Sequence, residues 1–326
     1  MTRLLIGVSL GLTWFLLINA AVSLAVAGAL RVAVVWGWRS STARFVLAVR
    51  LLPSLAGVGG LLGFVLPAYV ALEPADAVEP LGAGLILLAL VSIGLFARAA
   101  LRAGLAWWLA RAEVREWLRD AERIDAAVSD RDGRALPTYV VSDPRPIVAL
   151  AGVRRPRLFI ARHVADHLTG EELSAAIAHE RGHLTSRDNL KRLLLRACPD
   201  VLSLLPDSRD LERAWAGAAE LAADGRATGA DARRAAALAS AILKVARMLP
   251  PPQPIAAPVS TLHDGGVIAE RIRTLIAPDS SRAGAPRGSW MAVAMLAGLA
   301  AVAAGDYPAL LFTVHQVSEA LVRLFA

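Results

Sequence analysis

Hydrophobic positions along the chain fall into two regimes: long unbroken apolar runs near both ends, and a middle stretch where apolar residues recur at strand and helix periods. Leu4–Val35 is apolar except for Asn19, Arg31 and scattered Ser and Thr. About 20 apolar residues cross a bilayer as a helix, so this run is long enough. A cleavable signal peptide would have a shorter apolar region, about 7–15 residues. The second run, Val46–Leu72, holds Pro53, Pro67 and several Gly, which membrane helices tolerate and use for close approach. The third, from Leu81 to about Leu101, continues without a breaker to Ala127. Trp107, Trp108 and Trp117 alternate there with Arg102, Arg111, Arg115 and Arg119, which predicts one helix leaving the membrane through an aromatic and basic interface. Trp290–Gly305 predicts a fourth, short span. Pro308–Ala326 has helical apolar spacing and predicts a tail helix on or beside the membrane, with two short re-entrant helices as the alternative.

The middle stretch predicts one compact domain. Pro137–Val141, Ile147–Ala151 and Arg157–Ala161 are short and apolar, mostly flanked by Pro, Gly or Asp, and read as strands. Ile147–Ala151 is the preferred edge strand for pairing with an extended peptide. From Leu168 the period becomes helical. Thr169-Gly-Glu-Glu172 is a capping box that opens a helix to about Leu184, and further helices are expected near 187–204, 208–228 and 231–249. Pro250–Pro258 must be loop or polyproline, and Ala277–Gly288 a polar linker. The pattern thus predicts an α-helical membrane protein with an α+β cytoplasmic domain: spans within 1–109, the domain within 110–287, and a last span and tail within 288–326.

Composition sharpens this picture. The chain is 56% hydrophobic and 19% charged, against about 25% charged for ordinary soluble domains. Cys198 is the single cysteine, which excludes an internal disulfide and a cysteine-based zinc cluster. The net charge of +7 rests almost wholly on Arg. No aromatic-basic nucleic-acid module accompanies it, so nucleic acid is not an expected partner and the lipid bilayer is. The first inter-run loop holds Arg39 and Arg44, and the second holds Glu73, Asp76 and Glu79. By the positive-inside rule the N-terminus lies outside and residues from about 110 to 287 in the cytoplasm, despite Arg3. A bacterial-type inner membrane, multi-pass, is the expected location.

Chemistry concentrates in His179-Glu180-Arg181-Gly182-His183, an H-E-x-x-H motif on the capped helix. Four residues make about one turn, so both imidazoles face one side and can share a metal, with Glu180 beside them to activate a zinc-bound water. A catalytic zinc needs a third protein ligand and an open position. Glu220 and Asp224, at i, i+4 on a later helix among Ala and Leu, can supply that ligand (Glu220) and a carboxylate that orients an imidazole (Asp224). Zn²⁺ is the expected cofactor.

These residues resemble a gluzincin metallopeptidase. Three spans, a zinc domain and a fourth span resemble the β-lactam-sensor/antirepressor family of membrane peptidases, and Leu168–Leu190 is especially similar. The resemblance implies a zincin-like fold and a membrane zinc endopeptidase. Its implied substrates are a protein or peptide, such as a transcriptional repressor, or the chain itself. Two features depart from that family. Ala197-Cys198-Pro199-Asp200 stands where it often has Trp-Phe-Asn-Pro, and no Ser-x-x-Lys acylation motif follows the last span. Any signal is then expected from a separate sensor protein. Heat-shock-type and prenyl-protein-processing membrane zinc peptidases are a sister resemblance. Thr261-Leu262-His263 and Glu270-Arg271-Ile272 are similar to their Thr-His-Pro…Arg-Ile segment, and this implies His263 as an oxyanion-stabilising catalytic residue. A quality-control peptidase, or a non-catalytic receptor or scaffold retaining a zinc-binding domain, are the alternative functions. His163 and His167 read as a surface helix turn, Cys198 as a small buried apolar residue, and Asp188 as a helix cap or partner of an Arg.

Overall fold

The computed structural model describes residues 2–35, 42–73, 82–124, 133, 135–145, 147–229, 231–248, 260–261, 268–277 and 305–325. These residues are 80% helical, and among them lies one small mixed sheet. The expected fourth span falls almost entirely outside the described residues, as do His263 and the Pro250–Pro258 loop.

The apolar runs form α1 (Thr2–Val35), α2 (Ala43–Gly60) and α3 (Leu66–Leu72), the latter two joined by a π turn at Leu61–Val65, and then α4 (Ala83–Trp117). Among the described residues, three helical stretches, Arg3–Val32, Ala43–Leu72 and Ala83–Trp117, are long and apolar enough to cross a membrane. Small residues set their spacing. A Cβ on Gly57 would lie 2.8 Å from the Phe15 ring, so α2 approaches α1 more closely than any side chain there would allow. Contrary to the expectation of a helix to Ala127, α4 ends at Trp117. The buried Trp117 indole donates to Asp143 Oδ2 at 2.8 Å and packs on Phe159, and the chain then turns into β1 (Glu122–Ile124).

β2 (Thr138–Val141), β3 (Val148–Ala151) and β4 (Arg157–Ala161) occupy the three predicted strand segments, and the two-residue β5 (Ser260–Thr261) completes the order β1-β2-β4-β3-β5. β2 and β4 run parallel with Thr138 opposite Leu158; the other pairs are antiparallel. β3 is therefore not the outer strand that the sequence suggested. Ser260 pairs with Leu150 and Thr261 with Ala149. The Leu150 amide and carbonyl are also engaged, by Glu180 and Asn189.

The helices that follow are α5 (Arg162–His167), α6 (Gly170–Ser186), α7 (Asp188–Ala197), α8 (Asp207–Thr228), α9 (Ala232–Met248) and α10 (Ile268–Ile276). The helix expected over 187–204 breaks at Cys198-Pro199, because the residue before a proline disfavours helical geometry. A single 3₁₀ turn, Val201–Leu204, resumes after it. Cys198 is half-buried. α5 is the short turn expected around His163 and His167.

α6 starts on the predicted capping box. Thr169 Oγ1 accepts from the Glu172 amide, and Glu172 Oε2 accepts from the Thr169 amide at 2.7 Å. Ser240 and Lys244 of α9 also donate to the Glu172 carboxylate, at 2.6 and 2.7 Å. Burial opposes its charge, but Lys244, Ser240 and the Thr169 amide outweigh burial and hold its pKa at about 2. With the folded-state pKa depressed, this stabilisation is present above the ordinary carboxylate pKa and is lost as pH falls toward 2. Glutamine can keep the capping-box hydrogen bond, so Glu172→Gln is expected to lower stability at pH 7 by on the order of 1 kcal/mol through loss of the charge opposite Lys244. The difference from wild type should shrink through pH 4 and below. Thermal unfolding of both proteins across that range is the check, and a pH-independent gap would contradict it.

The sheet packs on α6 and α9 through a core that includes Val148, Leu158, Phe159, Ala176, Leu238 and Ile242. A second apolar cluster joins Val26, Ala27 and Val46 of the apolar helices to Leu195, Leu211, Trp215 and Ala219 of α7 and α8. Polar contacts reinforce this junction. The fully buried Arg50 pairs with Asp200 at 2.9 Å and Glu212 at 3.3 Å. Asn19 and Ser23 accept the Val201 and Leu202 amides, and Arg98 donates to Ser203. The α7–α8 connection is thus pinned to the apolar helices, which fixes the start of α8. α11 (Tyr307–Phe325) lies against α1–α4 rather than apart from them: Trp14 donates to Ser318 at 2.9 Å, Tyr307 donates to the Gly63 carbonyl, and Val322 packs with Leu10 and Leu85.

Candidate metal centre

Two helices build the site. α6 presents His179, Glu180 and His183; α8 crosses it and presents Glu220 and Asp224 one turn apart. All five are buried. The crossing is close because of Gly182, where a Cβ would lie 3.0 Å from Ala223 Cα.

Within this crossing, His179 Nε2 and His183 Nε2 lie 3.1 Å apart. Glu220 Oε2 is 3.3 Å from the first and Oε1 3.4 Å from the second. Tetrahedral Zn²⁺ with bonds of about 2.0–2.1 Å places its ligand atoms about 3.3 Å apart. Each of these spacings is close to that edge length, with one Glu220 oxygen facing each imidazole, and the donor set of two imidazoles and one carboxylate fits that ion.

Each imidazole is held from behind. Asp224 Oδ1 lies 2.8 Å from His179 Nδ1, and Asp188 Oδ2 lies 2.9 Å from His183 Nδ1. Held by carboxylates at Nδ1, each ring turns its Nε2 toward the common point, where a metal would take the neutral imidazole. Burial disfavours charge on His183, but Asp188 and Glu220 pull its pKa up to about 10; His179 is raised in the same way by Asp224 and Glu220. Glu220 is held well below the usual carboxylate range by the two histidines, against burial.

Two charged residues complete the frame. Arg271 of α10 grips Asp224 with Nε and Nη2 at 2.8 and 2.7 Å, and its Nη1 lies 3.0 Å from Glu220 Oε2. Lys191 pairs with Asp188 at 2.9 Å. Asp188 thus neither caps α7 nor pairs with an Arg, as the sequence suggested. The left-handed Arg187, with φ 55°, turns the chain so that Asp188 points back at His183.

Glu180 is placed differently. Its Oε2 accepts the Leu150 amide of β3 at 3.0 Å, while Oε1 is buried with no hydrogen-bond partner among the described residues. Burial foremost, with the Glu220 charge, pushes its pKa up to about 7 although both histidines pull it down. That value suits a group that accepts and returns a proton near neutral pH.

A capped H-E-x-x-H helix, a carboxylate closing the set from a second helix and a sheet strand holding the motif glutamate thus meet at one place. Residues 113–252 match Peptidase family M48. The matched segment contains His179, Glu180, His183, Glu220 and Asp224, and it supports a metallopeptidase. It ends before Arg271 and does not include α1–α3. A search of curated proteins found no match to the chain.

Asp188 and Arg271 are the residues that sequence reasoning did not assign to the site. Arg271 was visible in the Arg-Ile resemblance, whereas nothing in the spacing of Asp188 pointed to His183. Asp188→Asn is expected to weaken zinc binding about 10–100-fold, as loss of a carboxylate behind a ligating imidazole does. Competition of the purified protein with a zinc chelator measures this; an unchanged affinity would show that the His183–Asp188 contact has no bearing on the metal.

Proposed function

We propose that the protein is a membrane-anchored zinc endopeptidase in which His179, His183 and Glu220 hold the ion. The observation that carries this reading is the pair of imidazole nitrogens 3.1 Å apart, each with a Glu220 oxygen at 3.3 or 3.4 Å, and the buried Glu180 beside them. Bound there, Zn²⁺ would polarise the scissile carbonyl and lower the pKa of water. Glu180 Oε1 takes a proton from the attacking water as its oxygen bonds to the carbonyl carbon, and then gives that proton to the departing amine. Asp224 and Asp188 keep both imidazoles in the tautomer that offers Nε2, and Arg271 holds Asp224 and Glu220 in place. His263 is the proposed oxyanion partner on the strength of the sister resemblance alone.

The apolar helices α1–α4 support membrane anchoring, and loop charge supports a cytoplasmic site. The span–domain–span layout supports the sensor/antirepressor type and hence a regulatory protein, or the chain itself, as substrate. The test compares protein termini by mass spectrometry in cells carrying wild type or Glu180→Gln. New termini present only with wild type support the reading; identical termini from two zinc-loaded, equally expressed proteins overturn it.

A further inference from the structure

The junction of the apolar helices with the sheet contains a cavity of about 190 Å³ between the lower end of α4 and the β3–β4 turn. Arg111 and Arg115 line it from α4, and Arg155 and Arg157 from the turn and β4; no Asp or Glu lines it. Elsewhere Arg50, Arg145 and Arg271 each sit against a carboxylate. These four have no carboxylate partner among the described residues, and Arg111 lies over the Trp107 ring at 5.6 Å.

The turn is rigidly shaped. Gly152 has φ +100°, and a Cβ there would meet the Arg155 carbonyl oxygen at 2.7 Å, so the chain folds back tightly and carries Arg155 to the cavity rim. The level of the cavity is also marked. Leu101, Leu105 and Trp108 are large, exposed apolar residues on α4, and exposed arginines begin at Arg111, less than one turn beyond Trp108, whereas Arg98 and Arg102 are half-buried against Ser203 and Glu212. An aromatic girdle followed by clustered arginine is where a membrane helix meets phosphate headgroups.

We propose that this cavity receives the phosphate of an anionic lipid headgroup and so fixes the depth and tilt of the domain on the bilayer. Four cations without counter-ions around a pocket with apolar walls suit a phosphodiester whose acyl chains run up beside Trp107 and Trp108. The inference rests on the reading that α1–α4 span a membrane, and is independent of the peptidase chemistry.

Native mass spectrometry of the full chain, released from neutral detergent with equimolar phosphatidylglycerol and phosphatidylcholine, tests it. Wild type should retain phosphatidylglycerol preferentially. The Arg111→Gln/Arg155→Gln variant should lose roughly 25-fold of that preference, at about a fivefold contribution from each basic residue near the headgroups. Arg233→Gln/Arg234→Gln, an equal charge change on α9, should keep it. Zinc content equal to wild type shows that each variant is folded. Undiminished preference in the first variant overturns the proposal. So does displacement of the lipid by millimolar inorganic phosphate, which would mark a soluble-anion site, or altered cleavage of acidic peptides with lipid preference intact, which would mark a substrate subsite. A chain recovered in the soluble fraction without detergent would instead overturn the membrane reading itself.

Discussion

Purified Glu180→Gln is expected to carry the same zinc as wild type and to hydrolyse an unfolded protein substrate on the order of 10²–10⁴-fold more slowly, the range that a positioned acid–base group contributes. The metal should survive because Glu180 stands outside the ligand set; its Oε2 is tied to the Leu150 amide, 30 residues away on β3. The glutamine amide keeps the size of the carboxylate and can retain the Leu150 hydrogen bond through its carbonyl oxygen. What it loses is the ability to accept a proton at the second atom, the buried Oε1 that has no hydrogen-bond partner among the described residues. Zinc analysis and a peptide-release assay on the same preparation separate the two effects. A variant with full zinc and full turnover would remove Glu180 from the chemistry.

Gly182→Leu is expected to act in the opposite sense, losing the metal along with the activity. The α6–α8 crossing has no room for a side chain at this position: a Cβ would stand 3.0 Å from Ala223 Cα and 3.1 Å from the Ala223 carbonyl oxygen. Both contacts are backbone, so no rotamer change relieves them. Inserting methylenes into such a contact costs about 1–3 kcal/mol, and relief requires the helices to separate. Separation moves Glu220 and Asp224 away from His179 and His183, and the distances of 3.3 and 2.8 Å that join the helices cannot be kept. Zinc content and melting temperature should therefore fall together. Gly182→Ala, whose single methyl group needs a shift of only a few tenths of an ångström, should be milder in both. Full zinc occupancy in Gly182→Leu at wild-type melting temperature would show that the crossing is not what assembles the ligand set.

Part of this arrangement is legible in the sequence. The four-residue spacing of His179 and His183 and the spacing of Glu220 and Asp224 are helical facts, fixed by the chain's own period. The capping box is equally local, and α6 begins where Thr169 and Glu172 say it should. β4 also covers its predicted residues, Arg157–Ala161, because the segment is apolar enough to be buried and is bounded by Pro156. What escaped was decided across the chain. Asp188 finds His183 only because Arg187 adopts a left-handed conformation, which no side-chain pattern announces. Arg271 reaches Asp224 across 47 residues of sequence. β3 lost its place as the outer strand to a two-residue segment, Ser260–Thr261, too short to carry a period. α4 stopped short of its apparent length because the buried Trp117 is tied to Asp143 and Phe159, partners far along the chain.

The apolar helices bear on the same centre. Arg50, Asn19, Ser23 and Arg98 hold the segment from Asp200 to Glu212, which leads directly into the helix that carries Glu220 and Asp224. Glu220 is therefore positioned from the apolar helices, and His179 and His183 from the sheet-packed α6. The H-E-x-x-H motif alone does not describe the centre; its geometry depends on both halves of the molecule.

The most direct test of the account is X-ray absorption at the zinc edge of the full-length, zinc-loaded protein. The account predicts one zinc per chain with nitrogen and oxygen neighbours at about 2.0–2.2 Å, including the outer-shell scattering of two imidazoles. One imidazole should disappear in His183→Ala, or the metal should be lost with it. A zinc shell without imidazole, or a spectrum and metal content unchanged by His183→Ala, would contradict it.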